Sequence, residues 1–122
     1  MRWDDSPGAG FTTDSARPWL PLPPPGTASV ASQLADRGSV LWLCRELIAL
    51  RRAEIGASAG LNLVAGPPAL LAYRVGTLLV AANLGTAPVP VPAEAGQVLV
   101  RTAGQAGDVL AAGQGLAARL AG

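Results

Sequence analysis

The chain has 122 residues, the length of one domain. Half of it is apolar, yet only 4% is aromatic and 14% charged, with a net charge of +1; so small and scattered a charge argues against nucleic-acid binding. There is no His, which excludes a Ser-His-Asp triad, a Cys-His pair and His-ligated metal sites. The single Cys44 can form no internal disulfide and no thiolate cluster; the sequence reads it as a buried, inert thiol. No apolar run reaches the roughly 18 residues of a membrane span. The opening MRWDDSPG has no apolar stretch of signal-peptide type. A soluble, cytoplasmic chain is expected.

Gly and Pro, at fifteen and eleven residues, exceed the roughly 12% that the pair usually makes up. Many turns and few long elements follow. Residues 1–28 are rich in Trp, Pro and Gly, and no stretch there suits a helix, because each Pro removes a donor and biases its predecessor to an extended form. Trp3, Phe11 and Trp19 nevertheless lie in this segment. Such side chains in a loop either dock on a larger body or fill a local core.

A short helical turn, VASQLAD, is predicted over 30–36. The clearest element follows: Val40, Leu43, Cys44, Leu47 and Ile48 recur at helical spacing and predict a helix over 39–55. Ser39 is the candidate N-cap, with Asp36 as competitor. Arg51 and Arg52 suit the last turn, and Gly56 is the stop. The basic end reads as a solvated helix terminus rather than a binding patch.

Residues 61–122 read as strands: ALLAYRV (69–75) and TLLVAANL (77–84) across a tight turn at Gly76, then APVPVP (87–92), QVLVRTA (97–103), DVLA (108–111) and LAARL (116–120). Gly85, Gly96, Gly104, Gly107, Gly113 and Gly115 punctuate them. Pro88, Pro90 and Pro92 alternate, as an edge strand allows. Short strands at this spacing indicate an antiparallel sheet or small sandwich. Its many Ala residues bury little area, at roughly 25 cal/mol per Å², so the sheet is expected to be marginal without a partner surface.

No catalytic, cofactor or metal site emerges. Asp4 and Asp5 are neighbours in a loop, whereas a glycosidase needs two carboxyl groups converging across a bond; turn and capping duty before Ser6-Pro7-Gly8 is the reading. Asp14, Asp36, Glu46, Glu54, Glu94 and Asp108 do not cluster in sequence. GAGF (8–11) lacks the preceding strand, following helix and Lys of a phosphate loop. Ser15 and Ser39 have no base to activate them.

The stretches WDDSPGAGFTT (3–13), RPWLPL (17–22), VASQLAD and SVLWLCRELIALRR (39–52) occur in that order. Together they resemble the C-terminal part of the α-glucosidase and oligo-1,6-glucosidase group of glycoside hydrolase family 13. Met1, Trp3 to Pro7 and Ala9 to Thr13 match that group's Pro-Met-Gln-Trp-Asp-Asp-Ser-Pro-x-Ala-Gly-Phe-Thr-Thr stretch. Arg2 stands where the group usually has Gln. Pro18, Trp19 and Leu20, then Val30 and Gln33, then Arg45, Leu47, Ile48, Leu50 and Arg51 match the motifs that follow. The Asn83-Leu84-Gly85 turn is similar to one in the group's terminal sandwich.

The resemblance implies an α+β chain. Residues 1–56 would be the loop and last helix of a (β/α)8 barrel, and 61–122 a small antiparallel C-terminal β-sandwich. It implies that the nucleophile, acid/base and stabilising carboxylates lie on earlier barrel strands, so none maps onto this chain, and that the partner is the missing N-terminal barrel. Oligosaccharide would be substrate only for the full-length parent. Met1 coincides with an internal Met of the motif, so a truncated reading frame is expected, inactive alone and with residues 1–55 folding poorly. Alternatives are a non-catalytic carbohydrate-binding or barrel-complementing module, a trehalose-synthase-type relative, or a decayed remnant.

Overall fold

A computed structural model describes residues 1–122 except 14, 25, 58 and 103–106. Asp14, Gly104 and the end of the predicted strand at Ala103 therefore lie outside the described residues. The chain divides into two compact units, Met1–Arg45 and Glu46–Gly122. Among the described residues two helices, α1 (Val30–Ala35) and α2 (Val40–Glu54), precede seven strands: β1 (Leu61–Leu63), β2 (Leu70–Val75), β3 (Leu78–Asn83), β4 (Val89–Pro90), β5 (Ala95–Arg101), β6 (Val109–Leu110) and β7 (Gly115–Leu120).

The first unit is organised by hydrogen bonds rather than by a core of large side chains. The opening loop closes on itself through Trp3 N–H to Ala9 O and Ala9 N–H to Ser6 O, both 2.8 Å. Phe11 and Thr12 N–H both donate to Gly8 O, at 3.0 and 3.2 Å. A Cβ on Gly8 would lie 1.9 Å from Thr12 O, so this crossing needs glycine. The loop then supplies acceptors to α1: Val30 N–H reaches Arg2 O and Ala31 N–H reaches Trp3 O. These bonds satisfy donors that a helix start cannot pair internally. Buried Ser29 caps the same end, its Oγ accepting from Ser32 N–H while Ser32 Oγ accepts from Ser29 N–H.

The N-terminus of α2 is capped by two residues. Ser39 Oγ accepts from Trp42 N–H at 3.5 Å, and Gln33 Oε1 accepts from Leu41 N–H at 3.2 Å. Asp36, the competitor, instead accepts from Gly38 N–H in the connecting turn. The predicted stripe shares a face as expected, but no residue of α2 is buried. Val40 is 69% exposed and Ile48 52%. Cys44 is exposed as well, which corrects its reading as a buried thiol. Helical spacing aligned these side chains; it could not say what covers them.

The second unit has a packed core. β1, β2, β3, β7 and β5 form, in that order, a five-stranded antiparallel sheet, and β4 pairs with β6 in a two-stranded ribbon. β2 and β3 are joined by Gly76-Thr77, with Gly76 at φ 57°. A left-handed first position suits a two-residue turn that follows strand twist. Val89 and Leu110 of the ribbon pack with Ala72, Ala81, Leu116 and Ala118 of the sheet. Ala on the sheet side brings the two layers close. Asn83, 1% exposed, ties them: its Nδ2 donates to Ala87 O and Leu110 O, and its Oδ1 accepts from Gly85 N–H.

On the opposite face of the sheet, Tyr73, Val75, Leu78, Val80 and Ala117 line a groove of about 240 Å³ with Leu47, Leu50 and Ile55. Glu54 fixes the end of α2 here, accepting from Arg119 Nη2 at 2.7 Å and Thr77 Oγ1 at 3.0 Å. β1 leaves no signal in the sequence, because three strand residues between Gly60 and Gly66 are too few to show alternation. The proline-rich strand predicted over 87–92 contracts to Val89–Pro90 and pairs on one side only, as missing donors require.

Candidate functional site

Three of the acids, Asp4, Asp5 and Glu54, are held by hydrogen bonds or ion pairs, while Glu94 Oε2 is buried without a hydrogen-bond partner. Asp4 Oδ1 accepts from Ser6 Oγ at 2.6 Å and from Ser6 N–H at 3.0 Å, the turn duty expected of it. These bonds, the hydroxyl first and the amide second, hold its carboxyl below the usual carboxylate range, with help from nearby Arg2. Asp5 Oδ1 accepts from Arg2 Nε and Nη2 at 3.2 and 3.1 Å. Arg119 and then Thr77 hold Glu54 below its usual value, and Glu54 in turn raises the Arg119 guanidinium. Among the described residues no group of three or more His, Cys, Asp or Glu side chains is placed to hold a metal ion. None of their helices is long and apolar enough to cross a membrane.

The loop motif presents aromatic side chains on a rigid frame. Trp3 is 47% exposed, Phe11 63% and Trp19 91%, so they fill no local core. Ala9, buried, and Gly10 adopt φ of 55° and 64°. A Cβ on Gly10 would lie 2.7 Å from Asp4 Oδ2 and 2.8 Å from Trp3 Cβ. The glycine therefore lets the carboxylate and the indole stem sit side by side. Arg2 braces the frame from below: it is 9% exposed and also donates to Pro23 O at 3.5 Å. Its bracing role was not legible in the sequence.

Trp42 is a second feature that spacing missed. The Arg37 guanidinium lies 3.6 Å and that of Arg45 4.7 Å from its ring centroid, and its Nε1–H donates to Leu34 O at 3.1 Å. Cation–π contacts of this kind, worth about 0.5–1 kcal/mol at exposed sites, tether the turn between α1 and α2.

The described residues thus offer exposed loop aromatics, an exposed helix face and two packed sheets, with no reactive cluster among them. Residues 60–121 match DUF3459, a domain of unknown function that is found as a C-terminal domain in α-amylase family enzymes. The chain belongs to this family. Over 97% of its length it matches the crystal structure of an α-glucosyl transfer enzyme, XgtA, at 30% identity and a TM-score of 0.69. It spans 24% of that enzyme's chain. A search of curated sequences gives no match. The chain is a C-terminal domain of the glycoside hydrolase family 13 type.

Proposed function

We propose that the chain is the C-terminal part of a cytoplasmic α-glucosidase-type enzyme, serving a (β/α)8 barrel that carries the catalytic carboxylates. The observation that carries this reading is the likeness to the α-glucosyl transfer enzyme, which extends across 97% of this chain but reaches only 24% of the other. In a barrel enzyme the reactive groups come from the ends of several strands, whereas here Asp4, Asp5 and Glu54 are committed to Ser6, Arg2 and Arg119. The parent reaction would proceed through a glycosyl-enzyme intermediate, with net retention. The glucosyl group would then pass to water or to a second sugar. The exposed stripe of α2 is the face that would pack on the barrel.

The test is an assay of the purified 122-residue chain with maltose and isomaltose. No glucose should be released. Release at a rate typical of enzymes, about 1 per second or faster, would refute the reading. An in-frame barrel in the DNA upstream would support it.

A second reading is favoured by the exposure of Trp3, Phe11 and Trp19: a carbohydrate-binding module, in which indole faces stack on sugar rings. Titrating maltooligosaccharides against tryptophan fluorescence separates the two. Unchanged emission at millimolar sugar would remove this second reading.

A further inference from the structure

The two edges of the five-stranded sheet are treated differently. β5 is blunted: its pairing with β7 shifts register twice, between Ala95 and Val98 and between Val98 and Val100, and it ends in Arg101. Bulges and charge are two of the means that keep an edge from pairing with another chain. β1, at the other edge, has neither. From Ala59 to Pro68 there is no charged side chain. Leu61 and Leu63 are 60% and 73% exposed.

The direction of β1's backbone groups follows from its register. Asn62 lies opposite Arg74, and the next residue but one, Val64, donates to Ala72 O at 2.9 Å. Asn62 and Val64 therefore turn their N–H and C=O toward β2, while Leu61 and Leu63 turn theirs outward. The strand Leu-Asn-Leu reads the same in both directions. An antiparallel copy centred on Asn62 would set each Leu61 opposite a Leu63, and each such pair would exchange two backbone hydrogen bonds. The four leucines would meet on one face. Neither copy of β1 carries a charge of its own; the nearest on the Asn62 face is Arg74, one strand further in.

We propose that β1 is a self-pairing edge, which joins two copies of this chain about a two-fold axis through Asn62. Three residues a side bury far less than the roughly 1,200–2,000 Å² of a stable interface, so the dimer is weak and is best trapped covalently. In the symmetric register the two Asn62 Cα atoms lie about 4.5 Å apart, within the roughly 4.4–6.8 Å that a disulfide spans. Two Ala65 Cα atoms would lie on the order of 20 Å apart if the chain stays extended.

The experiment oxidises the full chain carrying Cys44→Ser with either Asn62→Cys or Ala65→Cys. The expected result is about tenfold more disulfide-linked dimer for Asn62→Cys, a contrast set by the reach of the bond. Adding Leu63→Lys, an edge charge on an already exposed position, should abolish that excess while the circular dichroism spectrum is unchanged. Equal cross-linking of the two cysteine variants, no dimer from Asn62→Cys, or a dimer indifferent to Leu63→Lys would each overturn the proposal.

Discussion

The two units are ordered by different forces. In Glu46–Gly122, Leu78, Leu79 and Leu110 are at most 2% exposed and the two sheets share an apolar layer. In Met1–Arg45 the only buried apolar side chain is Ala9, among the described residues. What is buried there is Arg2 and Ser29, each serving a hydrogen bond. Burial of apolar area is non-directional and survives small shifts of geometry. Hydrogen bonds add only about 1 kcal/mol each and fail when a partner moves. The first unit should therefore be the one that geometry breaks, and the second the one that volume breaks.

The largest expected effect tests the second half of that contrast. Leu110→Ala removes a fully buried side chain from the layer between ribbon and sheet. A cost of about 2–5 kcal/mol in urea unfolding is expected, with tryptophan-independent probes of the sheet losing cooperativity first. A change below about 1 kcal/mol would show that the ribbon contributes little to the core.

Gly8→Ala tests the first half. The added methyl would overlap Thr12 O at 1.9 Å, and only backbone movement relieves that contact. The local cost is about 2–3 kcal/mol. Hydrogen exchange should show Phe11, Thr12, Val30 and Ala31 amides losing protection, because their acceptors belong to the loop. Amides of β3 and β7 should keep theirs. Equal loss in both units would show that they unfold as one.

The contrast also explains what the sequence disclosed. Periodicity reports which side chains share a face, so α2 and the strands β2, β3 and β7 were readable to within a residue or two. It does not report what covers a face, and Cys44 was misjudged for that reason. The loop motifs carry a resemblance only, and the duties of Gly8, Arg2 and Gln33 depend on which carbonyl or amide lies within 3.5 Å. That is tertiary information. The link from Glu54 to Arg119 joins residues 65 apart in sequence and left no local trace. β1 was hidden by its brevity.

The smallest effect concerns that link, and it is a matter of pH. Glu54 is held below its usual value, which is near 4.5, by Arg119 and then Thr77. A carboxyl that binds its proton more weakly when folded contributes stability above its unfolded value. That contribution fades as pH falls through the folded value. Asp4, held down by Ser6 from a value near 3.8, acts in the same sense slightly lower. Stability should thus be level from pH 7 to about 5 and decline in the acid range. Glu54→Gln removes one charge from the pair at 2.7 Å; it should flatten the decline below pH 5 for the second unit and leave the loop's acid response, which belongs to Asp4, unchanged. Melting curves of both proteins between pH 3 and 7 check this. Parallel curves would mean that the ion pair, exposed on the Arg119 side, is too screened to couple α2 to the sheet, and that the groove-lining apolar contacts of Leu47, Leu50 and Ile55 hold the helix end on their own.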